Sequence, residues 1–213
     1  TLTYRDFLSG AAELVKTFII DDSGDNYEKA VTILSEIHDA TDHTRAIASH
    51  HAELEELIAA AAKVKAGVVE RDEFEMGERR KLNLGHTFAH AIEWEAHNRE
   101  QSMGEVNAGV HGISHGEAVA MGMIMAAEAS EYYYADDKSQ PVAVHGIAKK
   151  LTEDFRHCGL PVECPYPITT LAEAMKKDKK SENGIVHFIL IRAIGDVRIE
   201  DLPVDDVVSW ISK

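Results

Sequence analysis

Between Ser114 and Tyr134 the chain is built mostly from Ala, Gly and Met, and this stretch restricts the possible folds more than any other. Ser114, with Glu117 three residues later, is a capping-box signature that starts a helix there and lets it run to about Tyr134. A helix with so little side-chain bulk has to pack closely against its neighbours, and its methionines serve as core filler. Partners for it are written along the rest of the chain. From Tyr4 to Ile20 the residues Phe7, Leu8, Ala11, Leu14, Val15 and Phe18 recur at helical spacing until Asp21, Asp22, Ser23, Gly24 and Asp25 stop the pattern.

Tyr27 to Ile37, Thr44 to Val64 and His86 to His97 read as further helices, and a Gly-, Asn- and Ser-rich loop follows from Asn98 to Ile113. Pro141 marks the start of a helix running to Arg156, and Cys158 to Pro167 is an extended connection. Thr169 or Thr170 caps a short helix that ends in the basic run Lys176 to Lys180. Ile185 to Ala193 alternates and is rich in β-branched residues, Gly195 to Glu200 pairs with it as a hairpin, and Pro203 to Ile211 closes on a helix. The expected fold is mainly α with a small β-hairpin, one domain over residues 1–213 without internal repeats.

A net charge of −15, from 37 acidic against 22 basic residues, would repel nucleic acid and anionic membrane surfaces, so neither is an expected partner. An anionic small molecule is still admissible where a few cations converge on one cleft. Cys158 and Cys164 have neither redox-pair nor zinc-finger spacing and read as reduced thiols. With no signal region and no apolar run long enough to span a bilayer, the expected location is the cytoplasm. The chain opens on Thr1 rather than Met and enters a helical pattern almost at once, which suggests a fragment boundary.

Twelve histidines make chance pairs at helical spacing unsurprising, so His86/His90 and His111/His115 say little in isolation. Their surroundings say more. Lys81-Leu-Asn-Leu-Gly-His-Thr-Phe-Ala-His-Ala-Ile-Glu93 followed by His115-Gly-Glu-Ala-Val-Ala-Met-Gly-Met123 resembles the signature of the 3-dehydroquinate synthase family of sugar phosphate cyclases, a GHTxGHAIE helix and then an HGEAVAxGM helix. Ser9-Gly-Ala-Ala-Glu-Leu-Val-Lys16 resembles that family's GxAEVxK segment, and Lys65-Ala-Gly-Val-Val-Glu-Arg-Asp-Glu-Phe-Glu75 its K-x-x-VV-x-x-DExE segment. Asp178-Lys-Lys180 and the Ala193-Ile-Gly195 turn complete the order across nearly the whole chain.

The resemblance implies the metal- and substrate-binding C-terminal domain of such an enzyme, with Glu13, His86 and His115 holding one divalent zinc or cobalt ion. Two neutral imidazoles and a carboxylate suit such an ion and leave a position open for a substrate oxygen. By the same resemblance Lys16, Lys65, Arg79, Asn83, His90 and Lys179 or Lys180 surround the substrate, 3-deoxy-D-arabino-heptulosonate 7-phosphate, and Glu75 orients these cations. The implied reaction is phosphate elimination and ring closure to 3-dehydroquinate in the shikimate pathway. NAD is the implied cofactor and a homodimer the implied assembly.

Ala89 replaces a customary Gly, Thr17 stands where an aromatic is common, and the loop carrying His111, a competing ligand, is longer than usual. No GxGxxG turn and no βαβ alternation occurs, so the NAD-binding N-terminal domain is expected to be absent from these residues, and the isolated chain to be inactive. Two other readings remain open. One is a different cyclase or an iron-type alcohol or glycerol dehydrogenase, which usually uses an Asp and three His. The other is a non-catalytic helical metal-binding module, which would not need cations around its metal.

Overall fold

The small side chains of residues 115–133 allow other elements to approach that segment closely from several directions, and the chain is arranged around it. The computed structural model describes residues 2–22, 25–103, 112–135, 144–177 and 184–212. Helix α1 spans Tyr4–Ile20, α2 Asn26–Asp39, α3 His43–Ser49 and α4 His51–Arg71. A 3-10 turn at Glu78–Asn83 leads into α5, His86–Met103, and then come α6 at His115–Tyr133, α7 at Ile147–His157 and α8 at Ile168–Lys177. Strands β1, Ile185–Ala193, and β2, Asp196–Pro203, form an antiparallel hairpin before α9, Val204–Ile211.

Helix α6 is the centre, buried from Ala118 to Ala127 and in contact with α1, α5, α7, α9 and β1. Its start is fixed by the reciprocal capping box of Ser114 and Glu117, and α1 is opened the same way by Thr3 and Asp6. Two glycines set the distances to its neighbours. A Cβ at Gly116 would run into the backbone of Ser9 on α1, and one at Gly122 into the carbonyl of Gly85 just before α5. Side chains at these positions would push both neighbours away, because close-packed backbone has no room to give.

The hairpin pairs His187 with Asp201 and Ile189 with Ile199. Two strands alone are marginal in water. Here β1 lies on α6, where the buried Ser130 hydroxyl donates to Ala126 O at 2.6 Å and accepts from Ile191 N at 2.8 Å. Gly195, at φ +80°, turns the hairpin and donates its N–H to Ile19 O at the end of α1. Phe18, Tyr27, Phe88, Phe155 and Phe188 fill the core fully buried, and the Phe88 and Phe188 rings, 5.6 Å apart, join α5 to β1.

The mainly helical reading with one hairpin holds, and its boundaries change most in the helices after α2. The single helix expected over 44–64 is two, α3 and α4, broken at His50 with φ −97° and ψ 18°, and α4 runs on to Arg71. Helix α5 continues past His97 to Met103. Helix α7 starts at Ile147 behind Gly146 in the left-handed region, and the expected start at Pro141 lies outside the described residues. Helix α8 begins at Ile168, where the Pro167 carbonyl accepts from Thr170 N and Leu171 N, so the threonines sit in its first turn. No helix among the described residues is long and apolar enough to cross a membrane.

Candidate metal centre and adjoining cleft

The glycine contacts of α6 bring three distant segments to one point. Close approach over Gly116 sets the N-terminus of α6, with His115, beside Glu13 of α1. Gly85, at φ +76°, turns the chain so that His86 is the first residue of α5, and its carbonyl lies in the space left by Gly122. One ligand atom from each of Glu13, His86 and His115 lies within 4.8 Å of the other two. Glu13 Oε1 is 3.8 Å from His86 Nε2 and 3.7 Å from His115 Nε2, and the two imidazole centroids are 5.2 Å apart.

The partners of the other ring nitrogens determine where the protons sit. His86 Nδ1 is 3.1 Å from Leu84 O and His115 Nδ1 is 3.0 Å from Glu93 Oε1. A carbonyl and a carboxylate can only accept, so each Nδ1 carries a hydrogen and Nε2, on the Glu13 side, is the nitrogen whose lone pair the neutral ring offers. Burial first, and then the Lys16 ammonium, push the His86 pKa down to about 4, so this imidazole is neutral at physiological pH. Burial raises the pKa of the Glu13 carboxyl, but the charge and hydrogen bonds of Lys16 and the nearby imidazoles outweigh it and keep Glu13 ionised. Lys16 itself, 4% exposed, is lowered by burial, with Glu13 Oε2 at 2.8 Å as its counter-charge. A carboxylate and two imidazoles whose Nε2 atoms converge on one point fit a divalent ion.

Helix geometry places His90 and Glu93 on the His86 face of α5, and the His86 and His90 rings meet edge-on at 5.6 Å. Beyond them lies a cleft of about 410 Å³ whose polar lining is Glu75, Arg80, Asn83, His86, Thr87, His90 and His187, with Phe74, Val186 and Ile189 as apolar walls. Asn83 Nδ2 donates to Glu75 Oε1 at 2.9 Å, and Glu75 holds φ +56°, a conformation unusual for a side-chain-bearing residue. On the other side of Glu13, a mostly apolar groove of about 390 Å³ between α1 and α4 contains Lys65 at its rim, and the Lys65 charge is felt by Lys16.

The expected residues therefore divide. Glu13, Lys16, His86 and His115 form one cluster, Asn83 and His90 line the adjoining cleft, and Lys65 lies in the groove behind. Arg79 instead donates from Nη1 to Glu73 O at 2.7 Å and is not part of the cleft lining, which Arg80 occupies. Lys179, Lys180 and His111 lie outside the described residues. The sequence reading gave no role to Glu93, Arg80, His187 or Asp201. Glu93 could have been found from its position seven residues after His86, two turns along the same face. The other three depend on contacts between the 3-10 turn and the hairpin, for which no local pattern exists.

The family described as 3-dehydroquinate synthase C-terminal matches residues 10–181. Among curated relatives, the 3-dehydroquinate synthase of Geobacillus kaustophilus is 33% identical over 217 residues, covering 100% of this chain and 50% of the relative. That of Acidithiobacillus ferrooxidans is 36% identical over 200 residues, covering 93% of this chain and 47% of the relative. The chain thus spans about half the length of the curated relatives it matches. A solved 2-deoxy-scyllo-inosose synthase, complexed with carbaglucose-6-phosphate, NAD+ and Co2+, superposes with a TM-score of 0.63 at 20% identity, covering 96% of this chain and 50% of that one. A 2-epi-5-epi-valiolone synthase from Streptomyces hygroscopicus with NAD+ and Zn2+ bound gives 0.62 at 18%, covering 100% and 52%. At these identities the two structures establish the fold.

Proposed function

This chain belongs to the 3-dehydroquinate synthase C-terminal family, and from that premise we propose that it is the metal- and substrate-binding part of a 3-dehydroquinate synthase. The proposed reaction converts 3-deoxy-D-arabino-heptulosonate 7-phosphate to 3-dehydroquinate and phosphate. The observation that carries this reading is the convergence of Glu13, His86 and His115, from three helices, on one point beside a polar cleft. Curated relatives sharing 33% and 36% identity carry that enzyme's name, which favours it over the cyclases that share only the fold.

Glu13, His86 and His115 would hold a single zinc or cobalt ion. When bound, such an ion supplies Lewis-acid polarisation of a substrate oxygen. Around it the chain's own groups bind and orient. Lys16, tied to Glu13, keeps positive charge at the site; Asn83 is held by Glu75 through its amide nitrogen; and His90 lines the cleft to donate to a substrate oxygen or relay a proton. Lys65 and Lys179 or Lys180 would add charge for a substrate that carries both carboxylate and phosphate. Val186 and Ile189, both buried, give the cleft an apolar wall. The sequence holds no GxGxxG, and among the described residues no glycine turn leads from a strand into a helix N-terminus, so we assign the NAD site to the half of the relatives that the chain does not cover.

Fusion behind the amino-terminal half of the Geobacillus kaustophilus relative tests the proposal. The chimera should release phosphate from the heptulosonate 7-phosphate in the presence of NAD and a divalent ion, and His86→Ala should abolish release. A chimera that binds both metal and NAD yet releases no phosphate would rule the substrate out.

A further inference from the structure

We propose that Arg80 is an oxyanion-binding residue of this cleft and that His187, oriented by Asp201, positions it; the inference rests on the cleft being the ligand site of the function proposed above. A 3-10 turn advances three residues per turn, so adjacent side chains leave it in widely different directions. On the turn at Glu78–Asn83 this sends Arg79 to the Glu73 carbonyl and Arg80 to the cleft. Arg80 Nε donates to Glu75 O at 3.1 Å, and Nη1 lies 3.1 Å from His187 Nε2. His187 is paired across the hairpin with Asp201, whose carboxylate contacts Nδ1. A carboxylate only accepts, so the His187 hydrogen is on Nδ1 and its Nε2 accepts from Arg80.

Both groups that hold Arg80 are therefore neutral acceptors. They fix the guanidinium plane without cancelling its charge. Arg5, Arg71 and Arg99 are each committed to a glutamate, whereas Arg80 forms no ion pair with a carboxylate among the described residues. Its Nη2 makes no hydrogen bond there either, which leaves donors of fixed orientation in a cleft shared with Asn83 and His90. A pre-oriented guanidinium with unspent donors suits a bidentate oxyanion, either phosphate or carboxylate.

The test titrates inorganic phosphate and, separately, acetate into this chain while heteronuclear NMR follows the Arg80 Nε–H and the His187 ring nitrogens. Phosphate, acetate or both should shift the Arg80 signal, and the stronger binder identifies which oxyanion the site prefers. Arg80→Ala should weaken binding by about tenfold or more. Arg80→Lys, which keeps the charge without the fork, should recover part of it. Asp201→Asn should change the His187 tautomer signal and weaken binding less than Arg80→Ala. An Arg80 signal that ignores both anions, or affinity retained in Arg80→Ala, would overturn the proposal; should that variant fail to fold, unchanged affinity in both Arg80→Lys and Asp201→Asn would do so. Cobalt(II) binding measured on the same samples separates this from the metal reading. Arg80-dependent anion binding without cobalt uptake would leave the inference standing and remove the metal centre, and cobalt uptake with Arg80-independent anion binding would do the reverse.

Discussion

A histidine offers its Nε2 lone pair only when the ring proton is held at Nδ1, and in this chain a main-chain carbonyl does that for His86 and the Glu93 carboxylate for His115. Glu93→Ala should therefore lower metal affinity by about 10–100-fold, measured by competition with a chromophoric chelator, while circular dichroism shows unchanged helix content. Cys158 is a different case. Burial, and then Asp154, push its thiol up to about 12, and its Sγ contacts Val31 O. Alkylation followed by mass spectrometry should label Cys164 first and Cys158 only on unfolding. The folded chain also holds the Cys158 proton more tightly than the unfolded one. This group therefore costs nothing below the ordinary thiol pKa of about 8.5 and removes stability as pH rises above it. Single-residue chemistry was partly legible in the sequence. The family resemblance singled out Glu13, His86 and His115, but an arginine pair on a 3-10 turn follows neither helical nor strand periodicity, so that Arg80 faces the cleft could be seen only from the turn itself.

Helix α6 shows at the element scale how composition becomes a site. Gly122→Ala would press a methyl into the Gly85 carbonyl, and backbone cannot swing aside as a flexible side chain can. We expect a loss of about 1–3 kcal/mol in denaturant unfolding, with metal affinity falling too because His86 follows Gly85 directly. Gly10→Ala is the contrast. It lies inside α1 with nothing within 4 Å of a new Cβ, so it should stabilise the chain by about 0.5–1 kcal/mol. Elements with strong periodicity or caps, α1, α6 and the hairpin, were readable in the sequence. The break at His50 was not, because apolar spacing continues through it and only the local dihedral departs from helix. The extra turn and a half of α5, Asn98 to Met103, is almost wholly polar and gives no periodic signal, and of the extra residues of α4 Val68 alone is buried, so tertiary contact sets where these helices end.

For the whole molecule, a charge of −15 coexists with cations gathered at one place, Lys16 against the metal cluster and Arg80 in the cleft. The fold class and the family could be read because motif segments recur in order along the chain. How the hairpin closes over the 3-10 turn could not, since those contacts join residues more than a hundred positions apart, such as Arg80 and His187. With no dinucleotide-binding turn, this chain by itself should show no heat of NAD binding by calorimetry. A cobalt(II) titration of the chain followed by visible absorption, repeated on Glu13→Ala, His86→Ala and His115→Ala, reads the metal centre directly. One ion per chain should bind saturably, with a visible band that each substitution removes while helix content is kept. A band that survives all three substitutions would contradict that centre.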